Sequence, residues 1–363
     1  MHIRSSGLAR PMVCAGYSFL DLHKSPSNPK AEEGTAAGEY LEKLLTNVPT
    51  TAVASNGVYI DEDMQFFIPP IYEDIISRAS EAISCEHEID WQTRSGIMIK
   101  GHPDITFIDK EGVLCIEDLK YGWGIVEVKE NWQLLAYAIG EVIRRGKAFE
   151  TISLKIHQPR PHHEDGTTRE WRITYSELLE YKEKIEERMQ SLVDGNRELQ
   201  TSSQCKYCQG AAEACPAFNR LFYRALEVTT EFHQDSLTND EIARQLDQVK
   251  RAEEVIRIKK DSLTELGVIR IKSGEIIPGY AQVQSYGNRS WKAGITAQSI
   301  EMMTGKKVTQ TKFMTPAQVE KAGVKKDLVS QLSEKKYTGT KLEKRDTTQL
   351  GNNIFGSEAP KGN

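Results

Sequence analysis

Two aspartates and a lysine in one short stretch of the chain have the clearest chemical potential. Asp104 follows Gly101-His102-Pro103, and Asp118 and Lys120 follow after one predicted turn. Side chains two apart on a strand share a face, so Asp118 and Lys120 are expected on one face and Glu117 on the other. Asp104 would lie on the neighbouring strand of a hairpin. The spacing predicts that two carboxylates and an ammonium meet at one place.

This set of groups suits metal-assisted hydrolysis of a phosphodiester. Carboxylate oxygens are the ligands that Mg²⁺ prefers, and a bound divalent ion polarises a phosphate and makes a water more acidic. Lys120 would orient that water or offset the developing charge. An Asp-x-Lys triplet alone is more often a surface ion pair. Its place inside an otherwise apolar meander favours the site, because unpartnered charges there would be costly.

The elements that would position these side chains follow from the spacing of apolar residues. Helical spacing predicts helices over Ala31–Thr46, Pro70–Ile83, Glu127–Arg145, Ser176–Leu192, Asn239–Leu266, Thr315–Ala322 and Lys326–Leu332. Short runs of Ile, Val and Phe predict an antiparallel meander of three or four strands over Glu86–Lys120 and a further strand at Thr151–His157. This order predicts an α/β fold in which helices cover a central sheet.

Charge is distributed unevenly along the 363 residues, whose net charge is −5. Residues 231–363 carry 22 Lys and Arg against 17 Asp and Glu, a net of +5, and residues 1–230 carry −10. The acidic half would suit a cation site and the basic half could meet phosphate, although solvated charge without a function explains the counts equally well. No apolar stretch is long enough for a bilayer and no signal peptide is recognisable, so we expect a cytoplasmic protein with no membrane partner.

Four of the six cysteines are candidate metal ligands. Cys205-Lys206-Tyr207-Cys208 and Cys215 form a cluster that, without a secretory signal, indicates a metal site rather than disulfides. Cys14 is the natural fourth ligand, and four thiolates suit either an iron–sulfur cluster or Zn²⁺. The remaining two, Cys85 and Cys115, lie in apolar strand-like segments and are expected to be small buried residues.

The helix after the Asp-x-Lys strand carries Gln133-Leu134-Leu135-Ala136-Tyr137. Gln133 and Tyr137 lie one turn apart and share a face, which an ordinary amphipathic helix would also explain. After Asp104, Asp118 and Lys120, however, this helix resembles the RecB-like branch of the PD-(D/E)XK nuclease superfamily. The resemblance implies a restriction-endonuclease-like core, a mixed central sheet flanked by helices. It also implies that Gln133 and Tyr137 line the site and contact DNA or metal-bound water.

The same family places a metal-ligating histidine on its first helix, in a Gly-Thr-x-x-His-Glu motif. The segment here is Gly34-Thr35-Ala36-Ala37-Gly38-Glu39, so Gly38 stands where the family has histidine. Glu39 or Glu42 would supply the missing ligand, and Glu39 is the preferred candidate. The missing histidine also favours an alternative function, a catalytically weak or inactive DNA-binding or assembly protein that retains the nuclease fold.

One cysteine before the core and three after it resemble the iron–sulfur nucleases of this branch, including the AddB and CRISPR-adaptation nucleases. The resemblance implies a 4Fe-4S cluster held by Cys14, Cys205, Cys208 and Cys215, with zinc as the alternative. Arg289-Ser290-Trp291, after the Pro278-Gly279 turn, resembles a phage-encoded group of such nucleases. The cytoplasm would then be that of the bacterial host.

These observations predict a nuclease domain over residues 1–230, a mainly helical accessory domain over 231–346 and a disordered tail over 347–363. The predicted function is a Mg²⁺- or Mn²⁺-dependent DNA exonuclease serving phage or bacterial recombination, replication or repair. Its substrate would be DNA ends, single-stranded or resected, with a recombination or single-strand-binding protein as a candidate partner. Arg160, just after a predicted strand, would contact a DNA phosphate.

Overall fold

The computed structural model describes residues 2–20, 29–228, 238–291, 295–308, 315–321 and 323–344. These residues belong to two compact units, 1–266 and 267–363. The strands are β1 (His2–Arg4), β2 (Ser84–Cys85), β3 (Ile89–Gln92), β4 (Met98–Gly101), β5 (Ile105–Ile108), β6 (Leu114–Leu119), β7 (Thr151–His157), β8 (Thr168–Thr174), β9 (Tyr280–Trp291) and β10 (Ser333–Lys344). The α-helices are α1 (Ala9–Val13), α2 (Pro29–Leu45), α3 (Glu62–Arg78), α4 (Trp132–Arg145), α5 (Tyr175–Val193), α6 (Pro216–Val228), α7 (Asn239–Lys272), α8 (Ala297–Thr304), α9 (Pro316–Lys321) and α10 (Lys326–Leu332).

The larger sheet of the first unit has the strand order β2-β5-β6-β7-β8. β6 and β7 run parallel, and the other neighbouring pairs are antiparallel, so the sheet is mixed. Ile105 on β5 is opposite Glu117 on β6. One step further along this register, Asp104 comes opposite Asp118.

Strand β6 separates two apolar clusters because its side chains alternate between the faces of the sheet. Leu114 and Ile116 pack into a cluster that includes α4 and α5. Cys115 and Leu119 pack into a second cluster with α2 and α3. The six residues of β6 are all buried, so any charge on this strand lies in the interior.

Helix α4 contacts both the large sheet and a smaller sheet of order β1-β4-β3. The indole Nε1 of Trp91 on β3 donates to the carbonyl of Ala136, at 3.2 Å. The helix starts at Asn131, whose side chain accepts from the amides of the next turn, and ends at Gly146 in the left-handed conformation. Packing between two sheets fixes the face of α4 that carries Gln133 and Tyr137.

The structure differs from the sequence prediction in two places near the site. The single meander predicted over residues 86–120 is wrong, because β3 and β4 belong to the smaller sheet and β5 and β6 to the larger. The chain changes sheets at Gly101-His102-Pro103. The helix predicted from Pro70 begins earlier, at Glu62, since the Asp61 side chain caps it by accepting from the Met64 amide at 3.0 Å.

The second unit contains an antiparallel pair of strands, β9 and β10, and the short helices α8, α9 and α10, which lie between them in the sequence. The division between the units lies at residue 266, beyond the domain boundary expected at 230. The reason is that α7 packs on the cysteine segment, where Ile258 joins the cluster that contains Cys215 and Phe218. The predicted tail, 347–363, lies outside the described residues.

The α/β class predicted from the sequence is confirmed: a mixed five-stranded sheet and a three-stranded sheet are flanked by helices. Among the helices of the described ranges, none has the length and apolar character needed to cross a membrane.

Candidate active site

Four of the side chains predicted to share a site form one hydrogen-bonded network. The Lys120 ammonium lies 2.7 Å from Asp118 Oδ2 and donates to Gln133 Oε1 at 3.3 Å. Gln133 Nε2 donates to Asp118 Oδ1 at 3.0 Å and to the Tyr137 hydroxyl at 3.2 Å. The network joins the end of β6 to the first turns of α4 and fixes the Lys120 side chain.

Asp104 lies beside this network, directly before β5. Its Oδ2 accepts from the backbone amide of Leu119 at 2.8 Å, which holds the carboxyl against the end of β6. Burial and the nearby charge of Asp118 raise the pKa of Asp104 well above its usual value. Two carboxyl groups so close favour a bound cation, because a cation removes the repulsion between them.

The Lys120 ammonium remains charged in this setting. Burial alone would lower its pKa, but the carboxylates of Asp118 and Asp104 outweigh burial, and the pKa of Lys120 is raised. A protonated lysine can donate to a phosphate oxygen or to a water but cannot accept a proton.

An open cleft of about 740 Å³ leads to these groups. One wall is the surface of α2 that carries Gly38, Glu39 and Glu42, and the other is formed by the ends of the strands with Asp104 and Lys120. Among the described atoms, none lies within 4 Å of a Cβ built on Gly38. The cleft therefore has room for a larger side chain at the position where the resembled family has histidine.

Glu39 and Glu42 both line the cleft, but their surroundings differ. The Glu39 carboxylate accepts from the Ser55 amide at 2.8 Å and from its hydroxyl at 2.5 Å, and pairs with Lys43 at 2.7 Å. The hydrogen bonds from Lys43 and Ser55 lower the pKa of Glu39 to about 2. Glu42, by contrast, makes no side-chain hydrogen bond or ion pair with a described residue.

Glu86 lines the same cleft and was not predicted from the sequence. Its backbone is left-handed, with φ of 48°, and its amide donates to the Pro103 carbonyl at 3.0 Å. Partial burial of the carboxyl and the charge of Glu42 raise the pKa of Glu86. Glu86 follows a strand of only two residues. The sequence around it therefore shows no strand or helix periodicity that would have marked this carboxylate.

Arg160 does not reach the network. It pairs with Glu33 through two hydrogen bonds of 2.9 and 2.6 Å, and its guanidinium lies 3.9 Å from the centre of the Tyr121 ring. The pair connects the beginning of α2 to the segment after β7. The predicted phosphate contact would compete with Glu33.

Behind β6, Glu117 forms a buried ion cluster that the sequence did not reveal. Glu117 lies 2.8 Å from Arg78 on α3 and 2.7 Å from His157 on β7. Burial alone would raise the pKa of Glu117, but the hydrogen bonds from His157 and Arg78 outweigh burial and lower this pKa to about 2. The cluster ties α3, β6 and β7 together on the face opposite Asp118.

The four cysteines expected to bind a cluster come together from the beginning of the chain and from the segment between α5 and α6. Backbone amides donate to three of the sulfur atoms: Gln200 to Cys14 at 3.4 Å, Ser202 to Cys205 at 3.3 Å and Phe218 to Cys215 at 3.4 Å. Burial raises the pKa of Cys205 and Cys208, and the neighbouring thiols of this group raise it further. The other two, Cys85 and Cys115, lie apart, and burial raises the pKa of each to about 12.

Within the described ranges, no three or more His, Cys, Asp or Glu side chains are already arranged at the spacing of a metal site. Binding of an ion by the carboxylates or by the thiols would therefore require the side chains to close around it.

The fold and the site define a mixed α/β protein with an acidic, lysine-containing cleft and a separate group of four cysteines. The chain belongs to a family described as "Protein of unknown function (DUF2800)", whose model matches residues 4–341. No curated protein matches the chain. A solved structure titled "Crystal structure of SSO0001" is 15% identical, with 60% of this chain and 86% of that chain covered and a TM-score of 0.30. A likeness this weak carries no argument.

Proposed function

We propose that this protein is a divalent-metal-dependent DNA exonuclease with a PD-(D/E)XK core, acting on DNA ends in phage or bacterial recombination, replication or repair. The observation that carries the proposal is the network of Asp118, Lys120, Gln133 and Tyr137 beside Asp104. Acid, acid and lysine are the minimum set for metal-assisted phosphodiester hydrolysis. Here they lie together at the inner end of an open cleft.

The side chains of the cleft fit Mg²⁺ or Mn²⁺. Asp104 and Asp118 offer carboxylate oxygens, which hard divalent cations prefer, and Glu42 faces the same space without a competing partner. When bound, the ion would polarise the scissile phosphate and lower the pKa of a water. The unfavourable closeness of Asp104 and Asp118 supports this assignment, because a cation would stabilise both carboxylates in their charged form.

The protein's own groups have distinct roles in this proposal. The protonated ammonium of Lys120 would donate a hydrogen bond to the phosphate or to the attacking water. Gln133 keeps that ammonium in place. Tyr137 fixes Gln133 through its hydroxyl. Lys120 remains protonated, so its role is to orient and to stabilise negative charge rather than to act as a base.

The four cysteines fit a 4Fe-4S cluster or zinc. Their sulfur atoms accept hydrogen bonds from backbone amides, which stabilise thiolates and are typical around cluster-bound sulfur. Cys14, Cys205, Cys208 and Cys215 would hold the group, and its role would be to join the beginning of the chain to the segment that precedes α6.

The decisive experiment is digestion of end-labelled linear DNA by the full chain in Mg²⁺, Mn²⁺ or a chelator. We expect shortening of the DNA that requires the metal and is lost, by about 10³-fold or more, in Asp118→Asn and Lys120→Met. Glu88→Gln is the control, because Glu88 is an exposed acid next to β3 in the smaller sheet, and this variant should cut normally.

The alternative function gives a different result in the same assay. A binding or assembly protein would retard the labelled DNA in a gel and leave its length unchanged. Metal-dependent cutting that persists in Asp118→Asn would mean that another site, or a contaminant, is responsible, and the proposal would be wrong.

A further inference from the structure

The loop from Lys120 to α4 exposes an aromatic side chain three residues after the lysine of the candidate active site. Trp123 is 65% exposed, and Ile125 in the same loop is 45% exposed. The glycines on both sides leave space around it: no described atom lies within 4 Å of a Cβ built on Gly122 or Gly124. A large exposed apolar side chain in a rigid position is unfavourable in water and usually indicates a binding surface.

The loop is held in place although its tip is exposed. The side-chain amide of Gln158 donates to the carbonyls of Gly122 at 3.2 Å and Gly124 at 2.7 Å, and its oxygen accepts from the Val126 amide at 3.1 Å. Gln158 is fully buried, and Arg169 donates to the same oxygen at 2.8 Å. A buried glutamine that binds three backbone groups fixes the loop around the indole.

The loop that carries Trp123 is anchored at both ends by elements of the network. It starts at Lys120 and ends at the helix that carries Gln133. The Arg160 guanidinium lies 5.6 Å from the centre of the Trp123 ring, and a phosphate that approached it would have to compete with Glu33. An exposed ring next to a cation matches the chemistry of a single nucleic-acid strand, whose bases stack and whose phosphates are charged.

We propose that Trp123 stacks on an unpaired base and makes the substrate of this site single-stranded DNA. Inside a duplex both faces of each base are covered by neighbours, so away from the ends only an unpaired base can offer a face to the indole. The inference rests on the proposed nuclease function and narrows it to one substrate class.

Binding measured without divalent metal tests this inference separately from cleavage. The full chain is titrated against labelled oligothymidylate and against a blunt duplex of equal length, in a chelator. Trp123→Ala should weaken oligothymidylate binding about 10-fold or more and leave duplex binding unchanged, and Trp123→Phe should retain most of the affinity. Tyr223→Ala is the matched control, since Tyr223 is 63% exposed but lies on α6.

Tryptophan fluorescence provides a second readout that a purely structural role would not change. Oligothymidylate should quench the wild-type emission, and the quenching should be largely absent in Trp123→Phe. Unchanged thermal unfolding of the variants would show that the loop residue is not needed for folding.

The outcomes separate the two proposals. Trp123-dependent binding by a protein that leaves DNA uncut would support base stacking by Trp123 and contradict the nuclease function. Metal-dependent cutting with equal affinity of wild type and Trp123→Ala for oligothymidylate would overturn the inference alone, as would an equal loss on single strand and duplex.

Discussion

At the scale of single residues, the cleft holds carboxylates that differ in what already binds them. Glu39 is engaged by Ser55 and Lys43, and its low pKa reflects those bonds. Glu42, one turn away, faces the cleft without such partners. The two residues were the alternatives for the missing histidine ligand, and their surroundings favour Glu42, although the sequence alone favoured Glu39.

This difference predicts opposite results for two equivalent substitutions. Glu42→Gln should raise the Mg²⁺ concentration needed for half-maximal cleavage by about tenfold, because it removes a charged oxygen ligand. Glu39→Gln should leave the metal requirement nearly unchanged and lower the thermal unfolding midpoint, because it weakens the bonds to Ser55. Measurement of both quantities for both variants checks the prediction, and a metal defect in Glu39→Gln alone would reverse the assignment.

Much of the candidate site was predictable from the residues and their spacing. Strand periodicity placed Asp118 and Lys120 on one face of a strand. Helix periodicity placed Gln133 and Tyr137 on one face of the next helix, and in the structure these two faces meet. Contacts between distant segments were not predictable, such as Ser55 binding Glu39. Glu86 was missed because it follows a strand of two residues and has a left-handed backbone, neither of which leaves a pattern in the sequence.

At the scale of elements, the position of α4 depends on a glycine. A Cβ on Gly140 would lie 1.9 Å from Cγ2 of Ile89 on β3 and 3.3 Å from the Trp91 ring. The helix therefore approaches β3 more closely than any residue with a side chain would allow. Because α4 also carries Gln133 and Tyr137, this contact determines how closely those two side chains approach Asp118 and Lys120.

Gly140→Ala should therefore lower both stability and cleavage. Moving α4 away from β3 should cost about 1–3 kcal/mol in the free energy of unfolding, measured with urea. Gly34→Ala in α2 is the control, because no described atom lies within 4 Å of its added Cβ, and alanine should stabilise that helix by about 0.5–1 kcal/mol. Equal stability of the two variants would contradict the close packing of α4.

A second prediction at this scale concerns the ion cluster that joins α3, β6 and β7. The pKa of Glu117 is about 2 in the folded protein against an ordinary 4.5, so its contribution to stability is complete above pH 4.5 and is lost as the pH falls toward 2. Glu117→Gln should lower stability at neutral pH by about 3 kcal/mol, since Arg78 and His157 lose a buried partner. The difference between variant and wild type should shrink below pH 4.5 in unfolding curves, and a constant difference would contradict the low pKa.

The elements themselves were predicted with uneven success, for physical reasons. β7 and α10 have the predicted bounds. For β7 the reason is a largely apolar run that ends just before Gln158-Pro159. The assignment of strands to sheets failed between residues 86 and 120, since periodicity gives the faces of a strand but not its partner. β8 was not predicted because only two of its seven residues are buried, so the segment lacks the apolar run that marks the other strands.

At the scale of the whole molecule, the division into units depends on side-chain contacts that the amino-acid composition does not reveal. The sequence becomes more polar after Cys215, which suggested a boundary near residue 230. In the structure, the Lys259 ammonium of α7 donates to the carbonyl of Ala211 at 3.2 Å and to the Asn219 side chain at 2.6 Å. The first part of α7 therefore belongs to the unit that contains the cysteines.

In the same unit, the beginning of the chain packs against the segment that leads to the later cysteines. Beside Cys14, the Gly16 amide donates to the Glu198 carbonyl at 2.8 Å, so the beginning of the chain lies against the segment before Cys205. A metal group bound by Cys14 and the later cysteines would link positions 14 and 205. Such a link restricts the unfolded chain, and for a loop this long the stabilisation is about 3–5 kcal/mol by analogy with a disulfide.

Cys14→Ser and Cys208→Ala should therefore lower the free energy of unfolding by similar amounts, about 3–5 kcal/mol, and both should release the bound metal. Cys85→Ser is the control, because Cys85 lies apart from the group and should keep the metal. Elemental analysis and visible absorbance distinguish the two candidates: brown protein with iron and sulfide indicates a 4Fe-4S cluster, and colourless protein with one zinc indicates the simpler ion. If wild-type protein purified without oxygen contains neither iron nor zinc, the four thiols are not a metal site. The contact between the two segments would then depend on the hydrogen bonds around Gly16 and Cys14, the bond from Arg10 to the Tyr207 carbonyl and the packing of Leu20 and Leu199.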